Sequence, residues 1–306
     1  MLIGITAPIY VTNDWHRKYM ECTLKSIKSA NHKLIFIPVE NKIDDGMLPL
    51  EYPIDSSIEI NRCDGKIEQS VASGWNIGIA EAIKLGCEYI LVINTDILLK
   101  SNSIDHLIDF AEKHPEFIMW GMEAFVMDTE PTLASSAAMR MAGTKVRDNK
   151  IIYDALENKS IETENIRDGI SGPVFLIKKD FVDKIGQFDE NFTPAYFEDN
   201  DIHARIRISG NRAIIYGGAV FFHYGSETIY GNPEIIDDMA RSYKLNKAYF
   251  KLKWGWEPID RYHLSSEEEK EEDLVEVDCK DFYWTHPYNE EDKPITYWRK
   301  PKGRFM

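Results

Sequence analysis

The sequence predicts an α/β protein built on a mostly parallel, doubly wound sheet, followed by a C-terminal helical and irregular extension. Two observations predict it. Short apolar runs alternate with amphipathic stretches through the first 120 residues, the pattern of a parallel sheet with crossover helices. Polar residues also gather just after the apolar runs, where ligands bind in open α/β sheets: Asn13 and Asp14, Glu40 and Asn41, Arg62, and Asn94 with Asp96.

Leu2–Ala7 is short and apolar and reads as a buried parallel strand, with Pro8–Asn13 as the turn after it. Asp14–Ser29 places Tyr19, Thr23 and Ile27 four residues apart on one helical face, with Asn13 or Asp14 as its cap. His32–Val39 is the second strand and Ile58–Arg62 the third. Lys66–Leu85 is helical by pattern and stopped by Gly86. Its Ser73–Gly78 stretch holds two glycines and an Asn, poor helix formers, which predicts a break near Gly74 where the backbone approaches something closely. Tyr89–Ile93 is a strand ending at Asn94-Thr95-Asp96, Ser103–Lys113 a helix and Phe117–Trp120 a strand. Glu123–Asp168 reads as surface loops with a short hairpin.

From Asp168 to Thr228 the chain reads as a buried strand (Val174–Ile177), a short helix stopped by Gly186, and an acidic aromatic loop (Tyr196–Asp201). A helix stopped by Gly210 and two short strands ending at His223 complete it. Glu234–Trp254 fits one long helix, and the aperiodic tail is acidic at 265–273 and aromatic from Phe282 on. The expected division is residues 1–233 as the catalytic domain and 234–306 as the extension.

The net charge of −15 argues against nucleic-acid partners and against adsorption to anionic lipid, so a phosphorylated ligand would need a metal or a local basic pocket. Four scattered cysteines without a CxxC pair suggest reduced thiols in a cytoplasmic protein. No apolar run reaches membrane-spanning length, and MLIGITAPIY lacks the features of a signal peptide.

Three constellations can carry chemistry. Asn94-x-Asp96 at a strand end offers hard oxygen ligands suited to Mg²⁺ or Mn²⁺, though Asn and Asp are also ordinary turn formers. Glu198, Asp199 and Asp201 open a helix, where the dipole favours acids, and Asp201 forms an i,i+4 pair with Arg205. Tyr196-Phe197 ahead of them would desolvate a carboxylate and make it a better base. His223 gains meaning beyond packing only beside Asp96. There is no GxSxG, no HExxH and no glycine-rich phosphate loop after the first strand.

Four segments, in order, resemble the family-2 glycosyltransferases of the GT-A fold: ITAPIYVTN, NIGIAEAIKLGCEYILVINTDILL, the stretch from SGPVFLIKKDF to HARIRISG, and AIIYGGAVFFHYGSET. The resemblance spans about the first 230 residues. It implies an inverting transferase that moves a sugar from a nucleotide-diphosphate donor to an acceptor hydroxyl, in polysaccharide or glycoconjugate synthesis. By resemblance, Asp96 and His223 bind Mn²⁺ or Mg²⁺, with Asn94 in place of the first acid of the metal motif. Asp199 is the general base in the acid pair with Glu198. Pro8, Tyr10, Asn13, Glu40, Arg62, Asn76, Asn94 and Thr95 face the nucleotide sugar. A sugar nucleotidyltransferase ranks lower, because Pro8–Asp14 has neither a Gly nor a basic residue. An inactive carbohydrate-binding module is the non-enzyme alternative, and it has no reason to keep Asp96, Asp199 and His223 together. The aromatic set Trp254, Trp256, Tyr283, Trp284, Tyr288, Tyr297 and Trp298 suits acceptor binding, homo-oligomer contacts or packing onto the catalytic part.

Overall fold

The structure is a computed structural model that describes residues 1–65, 70–125, 149–224 and 236–255, with side chains from Ser242 on in the last segment. Its strands are β1 (Leu2–Val11), β2 (Lys33–Ile43), β3 (Glu59–Ile60), β4 (Cys63–Asp64), β5 (Tyr89–Ile93), β6 (Ile97–Leu99), β7 (Met119–Ala124), β8 (Ile166–Asp168), β9 (Val174–Lys178) and β10 (Ala213–His223). Its helices are α1 (Asp14–Ser26), α2 (Val71–Lys84), α3 (Ser103–Lys113), α4 (Asn149–Asn158), α5 (Phe181–Ile185), α6 (Glu198–Ile208) and α7 (Ile236–Trp254). One sheet takes all the strands, in the order β3-β2-β1-β5-β9-β7-β10-β6, with β4 beside β2 and β8 beside β10. β6, β8 and β9 run against the rest, so the sheet is mixed but mostly parallel.

Strand alternation sends each sheet face to a different core. Ile3, Ile5, Ile9, Leu91 and Ile93 meet Met20 and Leu24 of α1 and Leu107 and Ile108 of α3. Ile35, Ile37, Ile90 and Val92 meet Trp75 and Ile79 of α2 and Ile202 and Ile206 of α6. The sheet is therefore covered on both faces, as the continuous apolar strands require.

α2 explains the unusual composition of its sequence. Among the described residues it is unbroken from Val71 to Lys84, so the break expected near Gly74 is absent. The close approach is real, however. A Cβ added at Gly74 would lie 2.9 Å from the Pro8 side chain, and one at Gly78 would lie 1.7 Å from Thr6 Oγ1. A Cβ at Gly4 would in turn lie 2.9 Å from that of Ala82. Four helix residues advance about 6 Å, and two strand residues about 6.6 Å. Gly74, Gly78 and Ala82 thus step along Pro8, Thr6 and Gly4 in register, and the small residues set how closely the helix sits on β1.

Other boundaries differ from the sequence expectation. β1 runs on through Pro8 to Val11, which leaves Thr12 and Asn13 as the turn, and α1 ends at Ser26. The third strand is two short pieces. The two strands expected before His223 are one, with a register irregularity between Tyr216 and Val220 at the Gly217-Gly218 pair. Glu123–Asp168 is not all loop. It includes α4, whose C-terminal carbonyls at Leu156, Glu157 and Lys159 accept from the buried Lys100 ammonium. No described helix is long and apolar enough to cross a membrane.

Replacing Gly78 with Ala should destabilise the fold by about 1–3 kcal/mol, because the overpacking against Thr6 outweighs the better helix propensity of Ala, about 1 kcal/mol. Urea unfolding checks this, with Gly46→Ala as the control, since a Cβ at Gly46 meets nothing within 4 Å. An unchanged midpoint for Gly78→Ala would show that the seam is not tight.

Candidate active site

The site lies at the edge where the parallel strands end. Asp96 follows β5 and precedes β6, and His223 ends β10. The antiparallel pairing of β6 with β10 sets His223 opposite Ile97. His223 Nε2 therefore lies 3.4 Å from Asp96 Oδ1, and the Tyr224 N–H donates to the Asp96 carbonyl at 3.0 Å. The Asp96 side chain is 7% exposed and that of His223 31%. Burial disfavours the imidazolium, but the charge and hydrogen bond of Asp96 favour it by more, so His223 titrates above the ordinary histidine range.

A three-residue turn joins this pair to the acids of α6. Ile93 of β5 pairs with Val174 of β9, and the Asn94 N–H donates to the Pro173 carbonyl at 2.8 Å. One residue earlier, the Asp199 carboxylate packs on Gly172, where a Cβ would lie 2.5 Å from Oδ2. A larger residue there would displace the carboxylate from this position.

The three acids of α6 have three environments. Asp201 is fully buried and accepts from Arg205 Nε (3.0 Å) and Trp254 Nε1 (2.9 Å), with Lys253 Nζ at 2.6 Å. Lys253 also reaches the fully buried Asp189, at 2.5 Å, and Tyr249 OH donates to the same carboxylate. Burial acts to raise Asp189, but Lys253 and the hydrogen bonds around it win, and its pKa lies below the usual carboxylate range. Glu198 is buried as well, and its Oε2 has no hydrogen-bond partner among the described residues. Burial first, and then the charge of Asp199, push Glu198 up to about 8. Asp199 is half-buried; burial raises it, opposed by backbone N–H groups that include Asn200, 2.8 Å from Oδ1. The residues before them are strained. Tyr196 (φ 84°) and Phe197 (φ 74°) both lie in the left-handed region, which costs a non-glycine residue about 1–3 kcal/mol.

The other expected residues separate into groups. Glu40 and Arg62 meet at the end of β2, with Nη1 and Oε1 3.6 Å apart. Tyr52 completes the group: its hydroxyl donates to Glu40 at 2.6 Å, and the Arg62 guanidinium lies 4.9 Å from its ring centroid. Tyr10 packs edge-on against His16, and Pro8 faces Gly74. Asn13 caps α1 by accepting from the His16 N–H. Thr95 is buried between Asn94 and Asp96. Asn76 stands apart: its Nδ2 donates to the Phe188 carbonyl and to Glu190, and its Oδ1 accepts from the Phe188 N–H, so its donors are spent on that loop. Of the three roles open to the aromatic set, Trp254 takes packing onto the catalytic part, buried against α6, while the other aromatic residues of that set lie outside the described residues.

Tyr52, Gly172, Asp189, Asn246 and Lys253 were not singled out from the sequence. Gly172 alone had a local cue, in the Ser171-Gly172-Pro173 turn before an apolar strand. Asn246 Nδ2 reaches the carbonyls of Thr193 (3.2 Å), Ala195 (2.9 Å) and Tyr196 (3.3 Å) from α7, about fifty residues away.

Asp96 and His223 fit a hard divalent cation in chemistry and spacing. One oxygen and one nitrogen donor 3.4 Å apart lie within the span of two ligands with bonds of about 2.1 Å. Among the described residues no group of three or more His, Cys, Asp or Glu gathers.

No family model matches the sequence, and no curated protein matches it. Solved structures do. S. aureus TarS 1–349 in complex with UDP-GlcNAc is 11% identical over 87% of this chain and 69% of that one, with a TM-score of 0.50. The chain spans 40% of the longer S. aureus TarS chain. The mannosyltransferase PcManGT from Pyrobaculum calidifontis, in complex with GDP-Man and Mn²⁺, is 13% identical over 72% of this chain and 56% of its own, with a TM-score of 0.47. GalNAc-T7 with UDP, GalNAc and Mn²⁺ is 12% identical over 81% and 49%, also at 0.47. The fold is that of the GT-A-type glycosyltransferases.

Glu198 gives a pH test. Its folded pKa lies above its ordinary value of 4.5, so between 4.5 and about 8 the folded chain keeps a proton that the unfolded chain has released. This group therefore lowers stability as pH rises through that window. Relative to the wild type, Glu198→Gln should gain unfolding free energy from pH 4.5 to 8 and level off above it, in urea melts across a pH series. A pH-independent difference would mean that Glu198 titrates normally.

Proposed function

We propose that the chain is an inverting, metal-dependent glycosyltransferase that moves a sugar from a nucleotide-diphosphate donor to a hydroxyl of a glycan or glycoconjugate, in cell-surface polysaccharide synthesis. The observation that carries this reading is the 171–173 turn, which bonds to the Asn94 backbone at one end and packs on the Asp199 carboxylate at the other. It ties the Asp96–His223 pair to the proposed base in one constellation. The TarS likeness supports a GT-A scaffold, and the complex named there holds a nucleotide sugar, UDP-GlcNAc.

In this reading Asp96 and His223 hold Mn²⁺ or Mg²⁺. The cation supplies charge neutralisation for the diphosphate leaving group, which a chain of net charge −15 otherwise repels. Asp199 takes the proton of the acceptor hydroxyl as its oxygen attacks the anomeric carbon. The bond to the diphosphate breaks in the same displacement, which inverts that carbon without a covalent enzyme intermediate. Glu198, protonated near neutral pH, adds no second negative charge beside Asp199, which in this reading is the ionised member of the pair. Glu40, Arg62 and Tyr52 form the nucleoside end, with Pro8, Tyr10, Asn13, Asn94 and Thr95 lining the strand ends towards the metal pair. Residues 1–233 carry the chemistry, and the extension beyond them serves the acceptor or self-association.

Asp199→Asn keeps the shape and removes the base. Transfer should fall by about 10²–10⁴-fold while calorimetric donor binding holds. EDTA should abolish turnover and Mn²⁺ or Mg²⁺ restore it, and Asp96→Ala should respond to neither. A panel of UDP- and GDP-sugars screened by thermal shift with Mn²⁺ identifies the donor, since a ligand of the folded state raises its stability. Near wild-type transfer by Asp199→Asn overturns the base, and full activity of Asp96→Ala in chelator overturns the metal pair.

A further inference from the structure

The strained Tyr196-Phe197 pair stands directly before Glu198 and Asp199, so its conformation fixes where α6 begins. Phe197, at the N-cap position, makes no side-chain cap bond, although its carbonyl accepts from the Asp201 N–H at 2.9 Å. The support comes from α7. Asn246 is 4% exposed, and its two Nδ2 hydrogens are shared among the carbonyls of Thr193, Ala195 and Tyr196. One turn earlier, the Tyr243 ring packs on Tyr196 at 5.3 Å and on Phe197 at 4.9 Å. Two turns later, Lys253 and Trp254 grip Asp201 inside α6. α7 thus holds the acidic segment both before and after Asp199.

We propose that α7 is a brace that sets the position of the Asp199 carboxylate, with Asn246 as its positioning residue. This rests on the transferase reading above. The donors of Asn246 turn three carbonyls toward one point, which keeps residues 193–197 in the bend that aims the start of α6 at Gly172. Without those donors the bend relaxes toward ordinary backbone, and Asp199 moves relative to the 171–173 turn. Asn246 touches no reacting group in this arrangement. It acts through the main chain of the loop.

The test uses the full chain with Asn246→Asp, which keeps the size but loses the donors. Tyr243→Ala loosens the same loop from a 37% exposed position and leaves the buried network intact, and Lys244→Ala on the exposed side of α7 is the control. Two readouts are taken. Hydrogen exchange of amides 195–201 should quicken in both variants while β5 and β9 stay protected. With whichever of UDP-GlcNAc, UDP-glucose and GDP-mannose the wild type turns over, kcat should fall about 10²-fold in Asn246→Asp, the cost of a small misplacement. Donor Kd should hold, and the acidic limb of the pH profile should shift. Unchanged exchange in both variants overturns the brace, and so does an unchanged kcat and pH profile with quickened exchange. If the wild type turns over no donor, the transferase reading fails, and the exchange data still decide whether α7 holds the loop.

Discussion

Four charges buried together at the start of α6 govern the architecture of this side of the molecule. Asp189 and Asp201 are fully buried, Arg205 is 2% exposed and Lys253 4%, and they form a chain of close ion pairs from Arg205 through Asp201 and Lys253 to Asp189. Each charge taken from water carries a penalty of several kcal/mol, repaid only when geometry and hydrogen bonds satisfy the partners. Arg205 alone could answer Asp201 from within the helix. Asp189, in a different loop, needs Lys253, which belongs to α7. The cluster is neutral only when α7 is docked, so the C-terminal helix is a structural requirement of the acidic segment.

That requirement explains how acids crowded into four residues come to differ. Asp201 is matched by cations and an indole N–H, and its role is to anchor. Glu198 is buried, its Oε2 is unpartnered among the described residues, and it keeps a proton up to about pH 8. Asp199 is half-buried, held by its neighbour's backbone and pressed against a glycine. Residue type and spacing are the same kind of signal at all three positions, and only the surroundings separate them. The division of labour proposed for the acid pair therefore depends on packing more than on the motif.

This also marks how far the sequence could be read. The order of strands and helices through β7 is legible because periodicity is local, apart from the three-residue β6, which is too short to show a period, and the α2 glycines signal close approach even though the helix does not break. The Asp96–His223 contact is foreshadowed by both residues ending strands, but the pairing of β6 with β10 that creates it joins segments more than 120 residues apart. α4 is missed because its C-terminal carbonyls are satisfied by Lys100, far away in sequence. Tyr52, Asn246 and Lys253 belong to no motif. Their importance lies in which buried acceptor each one satisfies, and only the folded chain shows that.

The site is assembled by neighbours that have no chemistry of their own. Gly172 makes room for a carboxylate, Pro173 offers a carbonyl to the Asn94 N–H, and Gly74 and Gly78 let α2 press on the strand whose end carries Tyr10 and Asn13. Each is a place where a larger side chain would push two functional groups apart. The ends of β1 and β2 lie on one side of the β5–β9 junction, and β9, which leads on to the acid helix, lies on the other. The turn at 171–173 crosses that junction, and the buried ion cluster fixes the far side of the helix it touches. The distance between Asp96 and Asp199 is thus set by backbone contacts on one side and buried charge pairing on the other.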